Sequence, residues 1–454
     1  MIREKFIFDL QRFAFSGGSG TADDPYLIST VADLNKLASD VNGGNSYGGK
    51  HFKLTKDIDM RSVANFAMIG LYDGDTYYWF KGTFDGDGHT ISNLTINKTN
   101  DDCYVGLFGL SKGTIKNLTL KDANIVGYRE VGGIVGYNFE GTVENCFVTG
   151  GTVRATGEQS VYASGIVSLN EGTVRNCSVT GVNISGGDEK GEASGIVGYN
   201  KKGTVRNCSV TSANISGNYY AVGGIVSMNE DFGTIENCFV TNSTISGQGG
   251  VGGIVGRNEQ GTVKTCLIAN NTVTGGDIYG INRGNVGTCY YYGDKEYSGL
   301  TRAYKITLPE GVTASGTGVI FIGRIAYAPK DASVTITMTS GIPKIGGKPL
   351  GKNNDGTYFY TMTEADITLE ASTPSLLDNN LDVDRDGNYL IKSLDDLNTL
   401  ASHVNDGNGC AGLTFKLVND IDMKDVANFT AIGKGNNTFR GTFDGGGHTI
   451  SNSR

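Results

Sequence analysis

Between Tyr104 and Cys289 apolar and polar residues alternate in short runs, and one phrase keeps returning. Its apolar centre reads VGLFG at 105–109, GGIVG at 132–136, SGIVS at 164–168, SGIVG at 194–198, GGIVS at 223–227 and GGIVG at 252–256. YGINR at 279–283 is a worn last copy. The central isoleucine recurs at Ile134, Ile166, Ile196, Ile225 and Ile254, giving periods of 32, 30, 29 and 29 residues. Periods of this size mark stacked repeats, in which each unit buries its apolar side only against its neighbours. Helical repeats would need apolar residues about 3.6 apart and few glycines. Each copy instead holds three short runs with a period of two, separated by Gly, Asn and Thr.

Parity then assigns the faces. Val148, Val179, Val210, Val240 and Ile268 occupy one position, always apolar, and are predicted to point inward. The preceding position (Phe147, Ser178, Ser209, Phe239, Leu267) is mixed and is predicted to point out. Cys146 shares parity with Val148, while Asn145 falls where the strand must turn. Asparagine is the non-glycine residue that best tolerates the left-handed conformation of such a corner. Three strands and three corners per copy predict one rung of a right-handed parallel β-helix, with rungs stacked at roughly 4.8 Å.

The phrase G-I-V-G-x-N-x-x-G-T-V-x-N-C resembles the GLUG motif of bacterial surface adhesins, found also in N-terminal regions of some IgA1-specific metallopeptidases. The resemblance covers roughly residues 103–289. It implies a secreted or surface-exposed adhesion module and implies no particular ligand.

Composition agrees with this reading. Sixty-nine glycines against six prolines, with 19% charged residues, suit a turn-rich all-β chain rather than a disordered one. The net charge of -9 argues against nucleic acid and anionic membranes as partners. No apolar run approaches transmembrane length, so membrane insertion is not expected.

Four segments follow in order. Residues 1–15 include MIREKFIFDLQRFA, which lacks the long apolar stretch of a secretory signal and resembles an FDLQxFA leader of certain phage structural and bacterial surface proteins. Residues 16–300 open with a helix from Thr30, whose apolar face is Val31, Leu34, Leu37, Ala38 and Val41, and continue into the repeats. Such a helix would cover the otherwise bare edge of a terminal rung. Residues 301–375 carry alternating strands with Gly, Asn and Pro turns and predict a small β-sandwich-like spacer. In residues 376–454 the stretch from Tyr389 to Gly433 repeats Tyr26 to Gly70 at a constant offset of 363 residues, predicting the start of a second β-helix.

Candidate chemistry is sparse. The cysteine file (Cys146, Cys177, Cys208, Cys238, Cys266, Cys289) cannot converge four ligands on a tetrahedral metal and reads as a core column. The asparagine files read as amide ladders along the axis. Asp85, Asp87 and His89, with Asp444 and His448, form an acid–histidine grouping that suits a turn better than catalysis. Asp382, Asp384 and Asp386 have the spacing of the first half of a calcium loop, but its twelfth position is Ser393 rather than Glu, so the expectation is at most a weak structural Ca²⁺ site and otherwise no cofactor. Tyr77, Tyr78 and Trp79 fall where the second copy is shorter, which predicts a protruding aromatic loop suited to stacking on sugars or anchoring a protein.

No H-E-x-x-H, G-x-S-x-G or P-loop pattern is present, and no carboxylate cluster marks one rung face. The expectation is a non-enzymatic protein of the cell surface or extracellular space, binding host or microbial surface glycans or proteins through its solenoid. The alternatives are a phage-encoded fibre or decoration protein, located in a virion, and a β-helix polysaccharide-active enzyme. Sequence leaves the oligomeric state open.

Overall fold

The computed structural model describes residues 15–99, 104–158, 161–187, 190–293 and 300–452. The leader-like sequence at 1–14 lies outside these residues. The chain forms two compact units, Met1–Thr301 and Arg302–Arg454.

The first unit is a parallel β-helix closed at one end by a helix. Strand Tyr26–Ile28 precedes helix Val31–Asn42. The Thr30 hydroxyl accepts the Asp33 amide at 3.2 Å, and the Asp33 carboxylate accepts the Thr30 amide at 2.9 Å, a reciprocal capping box. Asp33 also accepts from the amide and hydroxyl of Ser16 and the amide of Ser29, tying linker, strand end and helix start together. Leu34, Leu37, Ala38 and Val41 are buried in one core with Phe52, Leu54 and Phe84.

The turns that start at Tyr104, Glu130, Val161, Gly191 and Ala221 each use five short strands, not three. The turn from Glu130 runs Glu130–Gly132, Val135–Asn138, Thr142–Glu144, Phe147–Thr149 and Thr152–Ala155. Each strand pairs in parallel with its equivalents one turn before and after, and the five feed four sheets. The first two are separated by a bend at Gly133-Ile134 yet belong to one sheet, because strand Gly250–Asn258 runs unbroken and pairs with both Ala221–Gly223 and Val226–Glu230. That bend was hidden inside what reads as one apolar run. A β-carbon on Gly133, Gly165, Gly195 or Gly224 would lie 2.0–2.3 Å from the carbonyl oxygen of the glycine one turn on, so only glycine allows the turns to close there.

The other corners use the left-handed region. Asn117, Asn145, Asn176, Asn207 and Asn237 have φ between 52° and 55°, as their position predicts, and Thr265 takes the equivalent corner at 54°. Val148, Val179, Val210, Val240 and Ile268 are buried, as are all six cysteines of the file.

Two amide ladders run along the axis. In the buried ladder each Nδ2 donates to Oδ1 of the next turn at 2.8 Å, from Asn138 through Asn170, Asn200, Asn229 and Asn258 to Asn282. In the corner ladder Asn145, Asn176 and Asn207 donate the opposite way, each to the preceding turn at 3.0–3.1 Å.

In the second unit, strand Thr301–Thr307 lies between Ile325–Pro329, antiparallel, and Ile367–Ser372, parallel. An antiparallel sheet of Val312–Ser315, Ser333–Met338, Tyr358–Thr361 and Gly351–Lys352 accompanies it. Both contribute to one core that includes Ile306, Ala326, Val334, Ile336 and Leu369. Strand Tyr389–Ile391, helix Leu394–Asn405 and parallel strands Thr414–Leu417 and Thr442–Asp444 then repeat the opening of the first unit around a separate core.

Candidate binding face

The predicted aromatic loop is a hairpin of Leu71–Tyr72 and Tyr77–Tyr78, paired antiparallel. Tyr72 and Tyr77 face each other across it and stack, ring centroids 4.4 Å apart. Tyr77 stacks in turn on Trp79 at 5.8 Å with the planes 13° apart. Trp79 meets Tyr137 and Phe139 edge-on or tilted, and Lys112 Nζ lies 4.6 Å from the Trp79 ring centre and 4.3 Å from that of Phe139. Cation–π contact of this kind desolvates both partners. The loop is a hairpin in which Tyr77 and Trp79 are engaged with neighbours rather than standing free. Tyr77 remains 46% exposed, and Tyr78, opposite Leu71, lies outside the stack.

Tyr137 belongs to an array that single-residue inspection does not reveal. On the bent sheet the outward residues of the second strand align as Leu110, Tyr137, Leu169, Tyr199, Met228 and Arg257. Those of the first strand align as Tyr104, Glu130, Tyr162 and Glu192. The bend turns the two files toward each other. Tyr104 pairs with Tyr137 at 5.2 Å and Tyr162 with Tyr199 at 5.8 Å, each first-strand ring meeting a ring one turn on. Tyr137 donates to Glu171 at 2.8 Å and Tyr199 to Glu230 at 2.7 Å, and Arg257 covers Tyr220 at 4.1 Å. The signal was present at the position between each GIVG-type phrase and its asparagine, but only pairing between turns makes it an array.

Glu130 and Glu192 follow Tyr104 and Tyr162 in the first-strand file. Burial pushes the Glu130 carboxyl up to about 7 against the opposing charge of Arg129. Glu192 is raised to about 8 by burial, opposed by Ser227 and Arg257.

The other candidate residues are not brought to a common point. Asp85 pairs with Lys116, Asp87 with Lys53 and His89 with Asp57. His448 repeats the last contact with Asp420 at 3.4 Å. In the predicted calcium loop, Asp384 accepts from Asn388 and Lys416, Asp382 pairs with Lys392, and Asp386 is exposed. Lysine charges thus already sit where a cation would, and among the described residues no three acidic, His or Cys side chains converge as metal ligands. The outward charged column is cross-paired between turns, Lys264 to Glu236 at 2.8 Å and Arg175 to Glu144.

The family model for the GLUG motif matches residues 127–154 and 218–246, two of the turns just described. Two turns of the chain thus carry the GLUG motif. Halomucin of Haloquadratum walsbyi is 32% identical to the chain over 163 residues, 36% of this chain and 2% of that protein. A Gly-rich protein of Evansella cellulosilytica, named as a membrane protein, is 35% identical over 140 residues, 30% of this chain and 15% of its own. The chain therefore spans only a small part of either relative's length. Among solved structures, a candidate immunoglobulin A1 protease from Bacteroides ovatus aligns at TM-score 0.48 and 22% identity, covering 62% of this chain and 87% of that one. An IgA1 protease aligns at TM-score 0.35 and 16% identity, over 62% of this chain and 22% of its own. The β-helix assignment stands on the chain's own strand pairing.

Proposed function

We propose that this protein is a non-enzymatic, surface-displayed adhesin-type scaffold that holds host or microbial glycans or proteins along its bent sheet. The observation that carries this reading is the aromatic array from Tyr72 and Trp79 through Tyr137 to Tyr162 and Tyr199, confined to one side of the solenoid. Rings fixed by stacking and by hydrogen bonds to Glu171 and Glu230 lose little freedom on binding, which favours contact with sugar faces or partner side chains. The surface location is supported by the names of the relatives, a mucin-like name and a membrane protein. The non-enzymatic reading is supported by the sequence, in which no H-E-x-x-H, G-x-S-x-G or P-loop pattern occurs.

The test is binding of the purified chain to a glycan array and to immobilised matrix proteins, beside Tyr137→Ala/Tyr199→Ala and Tyr77→Ala/Trp79→Ala variants. Selective binding lost in the first variant and weakened in the second is the expected result. No binding by the parent would leave a spacer or fibre role instead, and binding that survives both variants would overturn the aromatic array as the contact.

A further inference from the structure

The cysteine file is more regular than a core column needs to be. Flanking residues pair Glu144, Arg175, Arg206, Glu236 and Lys264 in succession, so Cys146, Cys177, Cys208, Cys238 and Cys266 follow one per turn. Cys289 continues the file beside Tyr290, which pairs with Leu267. All six are free and buried. In the first five, Sγ lies 3.2–3.3 Å from the carbonyl oxygen two residues earlier. They therefore share one side-chain conformation and are related by the translation from turn to turn. That translation, about 4.8 Å, is then also the distance between successive sulfurs.

This spacing excludes one chemistry and suits another. A disulfide needs sulfurs about 2.05 Å apart, which parallel side chains on a rigid ladder cannot reach. Two metal–thiolate bonds of about 2.3 Å laid end to end span about 4.6 Å, close to the gap between turns. Thiolates select soft metals, and with no third ligand at the same point among the described residues a two-coordinate ion is the one that fits.

We propose that neighbouring cysteines of the file form linear two-sulfur sites for a soft d10 cation, with Hg(II) the member best suited to this interior. Two S–H bonds break and two S–Hg bonds form. Two protons leave to solvent and nothing is oxidised or reduced. The product RS–Hg–SR is neutral, so loading places no net charge in the apolar core, where an unpaired charge would be costly.

The test is anaerobic titration of the full chain with Hg(II), with Cys103 and Cys410 changed to serine to silence thiols outside the file. Six thiols taken in pairs predict three ions and six protons per chain. The β-sheet circular dichroism should be unchanged, and X-ray absorption should report two sulfurs per mercury. Cys177→Ser with Cys238→Ser leaves only Cys266 and Cys289 adjacent and should lower uptake to one ion. Cys146→Ala with Cys208→Ala serves if that variant fails to fold, with the same one-ion expectation. Uptake that accompanies loss of the β-sheet signal, equal uptake by the substituted chains, three or more sulfurs per mercury, or no uptake would each overturn the proposal.

Discussion

Glu192 and Ser227, buried side chains from different turns, meet at 3.0 Å. The Ser227 hydroxyl also lies 2.8 Å from the Ala221 carbonyl, which can only accept. One hydroxyl hydrogen cannot serve both. Competition from the Ala221 carbonyl weakens the bond that Ser227 donates to Glu192, so it offsets only part of the cost of burying the carboxylate, and burial raises that carboxyl to about 8.

The consequence is a stability that falls as pH rises. The unfolded chain releases this proton near the ordinary value of 4.5, whereas the folded chain keeps it to about 8. Between those limits the native state binds more protons, so this group contributes a loss of roughly 1.4 kcal/mol per pH unit, levelling off above the folded value. Glu130 adds a loss of the same sign up to about pH 7. Glu192→Gln should flatten the decline and raise the melting temperature at pH 8. Parallel curves for parent and variant between pH 5 and 9 would refute the assignment.

Gly165→Ala tests the bend. Its β-carbon would stand 2.3 Å from the Gly195 carbonyl and 2.5 Å from Val179, neither of which can yield without displacing a neighbouring turn. Destabilisation of about 3 kcal/mol or more is expected in denaturant titration, against about 1 kcal/mol or less for Gly181→Asn, whose added atom meets open space and whose residue type tolerates the left-handed corner.

Asn170→Ala would interrupt the buried ladder. It removes the acceptor of Asn138 and the donor to Asn200, both inaccessible to water. A loss of roughly 2–4 kcal/mol is expected from the unsatisfied groups and the small void. Hydrogen exchange should accelerate in the flanking turns first, and uniform acceleration over the whole unit would argue against a locally transmitted defect.

Thr265→Asn should stabilise. A β-branched residue is held at φ 54°, where five earlier turns place asparagine. Relief of that strain is worth about 1 kcal/mol, read as a shift of the denaturation midpoint without change of slope.

Much of the fold was legible because parity and period are backbone properties written once per turn. Val148 and its equivalents, the corner at Asn145 and the cap box of Thr30 and Asp33 are all local statements. The count of strands per turn was not. Gly132 and Gly133 read as small residues within an apolar run, and what excludes a side chain at Gly133 is the carbonyl of another turn. The aromatic array was hidden for the same reason: Tyr104 and Tyr137 are 33 residues apart in sequence, and their meeting depends on the offset between strands of successive turns. Likewise the aspartates near Asp384 look like a cation loop until Lys416, distant in the chain, is placed against them.

The buried ladder has a direction, beginning at an Asn138 carbonyl oxygen with no partner and giving one amide hydrogen of each rung to the turn ahead, the other to a glycine carbonyl of its own turn. Any interior rung therefore offers its neighbours the same donor and acceptor as any other. Deleting or duplicating one full period rejoins equivalent ends, whereas a partial period would leave both cut faces mismatched. Such a gene can change its reach by unequal recombination in whole steps, so the protein behaves as a ruler whose graduations are single turns.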